Sequence, residues 1–175
     1  MEAVAEPALK FTKTDFDRLP EDFRVELIDG ELLKMTFSVV SHQELVGRLY
    51  LDLVAAVGRG RALLGSVGFV VDNYNVLGPD LVVFEEGELP RPDAKDIDRA
   101  ALVFEVLSPS TASRDRNVKV RLYLAAGVRE VWLVDAARRS VEVISPVGVR
   151  FARGDEEIAS SAVPEFAVRL AELFA

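Results

Sequence analysis

Apolar and polar positions alternate along this chain at two different periods, and the switches between them mark out its elements. Near the start, Thr14 is placed to cap a short helix from Asp15 to Leu19 that Pro20 ends. The run RVELI-DG-ELLKM follows, and Asp29-Gly30 is the favoured pair for a two-residue type I′ turn, so it predicts a hairpin. Ser41 and Glu44 have the spacing of a capping box. Behind them Leu45, Leu49, Leu53 and Val57 recur at helical spacing, which predicts a helix over 42–57 closed by Gly58.

The pattern then shortens. Ala62–Leu64 and Val67–Val71 read as strand on either side of a Gly-Ser turn. Leu81–Phe84 and Ala101–Leu107 are short and continuously apolar, the mark of strands buried on both faces. Between them, residues 84–99 hold six acids, three bases and two prolines and read as an exposed loop. Ser110, Thr111 or Ser113 is expected to cap a helix that runs to about Ala126 and stops at Gly127. Val131–Val134 is the next strand, and Ser140–Ile144 with Val147–Ala152 form a second hairpin. The tail, Glu165–Phe174, reads as a short helix. The order predicts one domain over residues 1–175, a mixed sheet with helices packed on it.

Composition narrows the chemistry. The chain has no cysteine, which excludes disulfide scaffolds, zinc ribbons, thiol nucleophiles and iron–sulfur clusters. A single histidine, His42, excludes two-histidine metal centres. Without a GxSxG elbow, His42 has no nucleophile to serve, and it reads first as a helix-start residue with a satisfied ring. Glycine-rich phosphate loops of the GxGxxG and GxxxxGK[ST] kinds are absent as well. Acidic residues outnumber Lys and Arg by 29 to 21, a net charge of −8 that opposes polyanion binding unless basic groups gather locally. The first ten residues carry glutamates where a signal peptide needs positive charge, so a cytoplasmic protein without a membrane span is expected.

What remains is carboxylate and lysine chemistry. Asp80 opens one apolar strand and Glu105 lies inside another. A carboxylate there is expensive unless paired, protonated or bound to a cation. Two readings stay open: Asp80 caps a turn while Glu105 pairs with an arginine, or both hold a divalent cation. Hard oxygen donors favour Mg²⁺ or Mn²⁺. Asp115, Lys119 and Tyr123 follow at i, i+4, i+8 and share a helix stripe, bordered by Val118, Leu122 and Ala125. Arg114, Arg116, Lys119 and Arg121 make this the most basic stretch, either a solvated face or one turned to phosphate. Val120 and Leu124 fall off the apolar face, where they would suit a partner subunit or a second layer.

These segments together resemble the Uma-two family of restriction-type endonucleases, within the PD-(D/E)XK nuclease superfamily. The resemblance rests on ELIDGEL (26–32), SHQELVGRL (41–49), Pro79-Asp80, EVLSPST (105–111), Asp115-x3-Lys119-x3-Tyr123 and GVREVWLVD (127–135), and it spans about Phe11 to Phe174. It implies an α/β (α+β) restriction-endonuclease-like fold: a mixed sheet flanked by helices, with an N-terminal hairpin extension. It implies a Mg²⁺- or Mn²⁺-dependent endonuclease hydrolysing phosphodiester bonds in DNA, with Asp80 and Glu105 as metal ligands. The superfamily's lysine would stand two residues after Glu105, where this chain has Leu107. The resemblance therefore implies a migrated lysine, Lys119, with Glu26 as a further catalytic acid. Arg114, Arg116 and Arg121 would contact DNA phosphates, and His42, Asp115 and Tyr123 would lie near the cleft. A nuclease of this type that cuts both strands is expected as a homodimer or higher homo-oligomer. The alternative is a catalytically degenerate nuclease fold that serves as a binding or oligomerising module.

Overall fold

A computed structural model describes residues 9–20, 22–65, 67–109 and 111–175. The N-terminal stretch 1–8, Ser66 of the expected Gly-Ser turn and the candidate cap Ser110 lie outside the described residues. The first element is α1 (Lys13–Phe16), and its cap is Thr12 rather than Thr14. Thr12 accepts from the Asp15 amide while the Asp15 carboxylate accepts from the Thr12 amide, a reciprocal pair; Asp17, three residues after Thr14, is instead bound by Lys13.

The hairpin forms as expected. Strands β1 (Val25–Ile28) and β2 (Glu31–Lys34) pair antiparallel with Ile28 opposite Glu31. Asp29 and Gly30 take φ of 52° and 81°, the positive values that a type I′ turn demands. Helix α2 covers Val40–Val57, and Gly58 closes it at φ 82°. Its N-cap is Val39, with no side-chain bond, so Ser41 sits inside the first turn and the capping box does not form.

The strands β3 (Ala62–Leu64), β4 (Gly68–Asp72), β5 (Asn75–Leu77), β6 (Leu81–Val83), β7 (Asp96–Ile97) and β8 (Leu102–Val106) come next. Beyond the 112–125 helical segment follow β9 (Glu130–Asp135), β10 (Ser140–Ser145) and β11 (Gly148–Arg153). They sort into a five-stranded sheet, β2-β1-β5-β4-β7, and a six-stranded sheet, β11-β10-β9-β8-β6-β3. The two segments expected to share a Gly-Ser turn, β3 and β4, therefore belong to different sheets. The acidic loop 84–99 is not wholly irregular, because β7 pairs parallel with β4 and buries Ile97. The C-terminal stretch is not one helix. It holds β12 (Glu157–Ala159) and β13 (Ala167–Arg169), which pair antiparallel, and then a single turn, α5 (Leu170–Leu173).

The central strands β6, β8 and β9 of the six-stranded sheet are buried on both faces, and the alternation of their side chains decides what each face meets. Leu81, Val83, Leu102, Phe104, Val106, Trp132 and Val134 point into one core with Leu45, Leu49 and Leu53 of α2 and with Phe166, Leu170 and Leu173. Val82, Val103, Val131 and Leu133 point the other way, toward Ile28, Phe69 and Leu77 of the five-stranded sheet and toward the helical segment. Glu105 keeps the parity of Val103 and faces the second core, between the sheets, while Asp80 stands just before β6. The first core is closed at one end by Glu130, 3% exposed, which accepts from Trp132 Nε1 (3.1 Å), Ser160 Oγ (2.8 Å), the Ser161 amide (2.9 Å) and Arg150 (2.8 Å). Four donors on one carboxylate make this buried charge tolerable and tie the C-terminal stretch to the sheet.

The crossover from β8 to the parallel strand β9 is helical but not uniformly α. It runs as α3 (Ala112–Arg114), a π-helical turn (Asp115–Lys119) and α4 (Val120–Ala125), with Gly127 at φ 88° ending it. A π turn bonds i to i+5 and shifts the register of whatever follows. This explains two departures from the α-helical stripe. Val120 is buried in the second core, with Leu124 packed on it, so of the two expected neighbours it meets a second layer of this chain. Ala125, expected on the apolar border, is exposed.

Candidate active site

The antiparallel register of β6 and β8 sets Leu81 opposite Phe104. The ladder ends there, and the Asp80 amide donates to the Phe104 carbonyl at 3.1 Å, so Asp80 sits just before β6 beside the end of β8. It is near enough to Glu105 for the two like charges to repel. Each acid is held by its own partners. Asp80 Oδ2 accepts from the Val106 amide at 2.7 Å, and Oδ1 lies 3.1 Å from His42 Nε2. Glu105 Oε1 accepts from the Tyr123 hydroxyl at 2.7 Å and from Lys119 Nζ at 2.6 Å.

Lys119 is the centre of the group. From the π turn its ammonium reaches Glu105 at 2.6 Å, Glu26 at 2.9 Å and Asp115 at 3.7 Å, and it donates to the Gly78 carbonyl at 3.2 Å. Glu26 comes from β1 in the other sheet, and its Oε1 also accepts from the Gly78 amide at 2.8 Å. Gly78 thus binds both the acid and the base through its backbone. Glu26, Glu105, Asp115 and Lys119 are each at most 6% exposed. One buried cation facing three buried carboxylates leaves a net negative site.

That imbalance governs the titrations. Burial pushes the Glu105 carboxyl well above the usual carboxylate range, opposed by Lys119 and reinforced by Asp80, Asp115 and Glu26. Burial likewise raises Asp115, again against Lys119. For Lys119 itself, burial favours the neutral amine, but Glu105, Glu26 and Asp115 together outweigh it and hold the ammonium charged above its ordinary range. Burial, with Glu105 alongside, raises the Tyr123 phenol and keeps it a donor. The bond to Asp80 raises His42, against partial burial.

The residues singled out from sequence fall into two sets. Glu26, His42, Asp80, Glu105, Asp115, Lys119 and Tyr123 form one contiguous group across β1, α2, β6, β8 and the helical segment. The three arginines do not converge with it equally. Arg114 lies 4.0 Å from Glu26 at the rim. Arg116 is drawn to Glu142 at 2.5 Å and Asp135 at 3.7 Å, so a phosphate would compete with two carboxylates for it. Arg121 is exposed. Leu107 shares the Glu105 face and packs against the second core, which leaves the charge to be delivered from the helix. The backbone groups of Gly78 and Val106 escaped the side-chain reading. The Gly78-Pro79-Asp80 sequence was their one signal, because glycine allows the close approach: a Cβ there would stand 3.0 Å from Met35 Cε and 3.6 Å from Glu26 Oε1.

Among the described residues, no three Asp, Glu or His side chains are gathered as a ready-made metal cage. Nor is any helix long and apolar enough to cross a membrane.

Comparison with known proteins bears on the fold and the family. A search of curated proteins finds no match. Among solved structures, a protein of Anabaena variabilis ATCC 29413, described as a “putative nuclease”, superposes with a TM-score of 0.82 at 21% identity, covering 94% of this chain and 97% of its own. That likeness shows the fold: mixed sheets flanked by helices, as in a nuclease-like domain. Residues 14–171 match the family described as “Putative restriction endonuclease”, and the chain therefore belongs to the Uma2 family.

Proposed function

We propose that this chain is a metal-dependent endonuclease that hydrolyses phosphodiester bonds in DNA. The observation that carries the reading is the Lys119 ammonium, 2.6 Å from Glu105 on the strand beside Asp80. It supplies from the helix the charge that Leu107 does not supply from the strand. The family description and the nuclease-like fold support a nuclease in general; metal and DNA are the further step.

The residues fit a hard divalent cation. Asp80 and Glu105 are neighbouring carboxylates whose charges act on each other, and Tyr123 and Lys119 both bind the same Glu105 oxygen, Oε1. Asp80 and Glu105 would hold Mg²⁺ or Mn²⁺, with water and phosphate oxygens completing the shell as Mg²⁺ prefers. A bound ion of this kind polarises a phosphoryl oxygen and lowers the pKa of its water. Lys119 remains charged and stands ready to stabilise negative charge growing on the phosphate. His42 and the Val106 amide hold the Asp80 carboxylate in place. Glu26 and Asp115 fix the Lys119 ammonium, and Arg114 at the rim is placed to meet a neighbouring phosphate.

The test is cleavage of supercoiled plasmid and of single-stranded DNA at low salt with Mg²⁺ or Mn²⁺, set against EDTA and Glu105→Gln. Activity lost in both controls supports the reading. In parallel, Mn²⁺ should raise the melting temperature of the wild type but not of Asp80→Asn. Neither cleavage nor a metal-dependent shift would leave a degenerate nuclease fold used for binding.

A further inference from the structure

The segment from the end of β2 into the first turn of α2 is anchored at both ends on the Gly78–Asp80 turn. At its start, the Met35 amide donates to the Arg24 carbonyl at 2.9 Å, continuing the hairpin ladder by one step. The Met35 side chain lies against Gly78, so close that a Cβ on that glycine would come within 3.0 Å of Met35 Cε. At its far end, His42 is bonded to Asp80. Residues 36–41, all exposed, therefore run along the mouth of the site from Gly78 to Asp80.

This lip is apolar where solvent would favour polar groups. Phe37 is 87% exposed, Val39 68% and Val40 76%. Scattered exposed apolar residues are ordinary, but three within four positions, at the edge of a charged cleft, form a surface that waits to be covered. The charge around it indicates by what. The Arg24 guanidinium stands 5.5 Å from the centre of the Phe37 ring, and Lys34 is exposed on the adjoining strand. A cation beside an exposed aromatic ring is the pairing that holds a single strand, the ring stacking a base and the cation meeting the phosphates. Bases inside a duplex are already stacked and gain little from Phe37.

We propose that residues 36–41 form a binding lip on which Phe37 stacks an unpaired base of a single-stranded DNA segment entering the site, with Arg24 on its backbone. This rests on the nuclease reading and names the form of DNA the same site takes.

The experiment measures binding of a fluorescent single-stranded oligonucleotide and of the corresponding duplex by anisotropy at low salt in Mg²⁺. Every protein carries Glu105→Gln so that the strand stays whole. Phe37→Ala is expected to weaken single-strand binding by about 5- to 100-fold and to change duplex binding by less than about twofold. Phe37→Trp should keep the affinity, and its emission should be quenched by the single strand against the constant signal of the buried Trp132. The exposure of Phe37 means both variants should melt with the parent. Equal losses for both DNA forms, or no loss with Phe37→Ala, overturn the proposal while leaving the nuclease reading intact. If the parent binds neither form, both readings fall. If Phe37→Ala instead abolishes self-association and spares DNA binding, the lip belongs to a second copy of the chain and the proposal is wrong.

Discussion

Replacing Lys119 by methionine is expected to remove a large share of the stability of the fold, and to do so increasingly as pH rises. The ammonium sits 2.6, 2.9 and 3.7 Å from Glu105, Glu26 and Asp115. At an effective dielectric of about 20, each of these attractions is worth roughly 4–6 kcal/mol before desolvation is set against it. Methionine fills the space but leaves three buried carboxylates facing one another. The folded chain then relieves the repulsion by binding protons, and the net loss for breaking a buried pair from one side is ~3–5 kcal/mol. With ~2–4 °C per kcal/mol for a domain of this size, melting should fall by roughly 6–20 °C at pH 8. The raised carboxyl pKa values fix the sign. An acid that holds its proton more tightly when folded adds stability below its unfolded pKa and loses it as pH climbs through the folded value. The gap between variant and wild type should therefore narrow toward pH 5. Thermal melts followed by near-ultraviolet circular dichroism at the buried Trp132, from pH 5 to 8, measure this, with Lys119→Arg as the charge-retaining control. Equal melting of Lys119→Met and wild type at pH 8, or a gap independent of pH, would refute the account of Lys119 as the neutralising centre.

Other perturbations bear on separate parts of the structure. Glu105→Gln removes a carboxyl that burial keeps well above its ordinary range. Wild-type stability should fall as pH rises from the ordinary glutamate range through that raised value, and the variant's curve should be flatter and lie higher at alkaline pH; parallel curves contradict this. Gly65→Ala would set a Cβ 2.6 Å from the Pro79 carbonyl and 3.2 Å from that of Asp80, both backbone. A loss of ~1–3 kcal/mol in denaturant unfolding is expected, together with a weaker metal-dependent shift because Asp80 is displaced. Glu130→Gln turns an amide NH₂ toward donors and should cost roughly 1.5–3 kcal/mol, read as earlier proteolysis of the C-terminal stretch.

The sequence was most legible where one local rule acts alone. Asp29-Gly30 specified its hairpin because both positions demand positive φ, and the apolar runs around Leu81 and Leu102 specified buried strands because they are short and rich in Val, Leu and Phe. It misled where two rules competed. Ser41 and Glu44 have capping-box spacing, yet the helix begins earlier, at Val40, since the bond from His42 to Asp80 fixes the start from outside the helix. Three-residue β5 was invisible between turn residues. Glu130 was left outside its strand because three of its four donors, from Arg150, Ser160 and Ser161, come from segments far apart in sequence. In the site, the acids were readable from their cost in apolar strands. Lys119 stood out from its stripe with Asp115 and Tyr123, but its role as the migrated lysine came from the resemblance, because α-helical periodicity alone does not foretell the π turn that carries it.

Because the base rides on the helical crossover while Asp80 and Glu105 ride on the sheet, the two halves of the site answer to different stabilities. A short helical segment opens at a lower free energy than a sheet buried on both faces. When residues 112–125 lift, the acids lose their neutralising ammonium at once, and repulsion between them penalises the opened state. The like-charged pair thus acts as a restoring force on the crossover, and a bound cation or polycation that screened the acids would loosen the helix it replaces. Amide exchange across 115–125 should accordingly speed up, not slow down, as metal is added without nucleic acid.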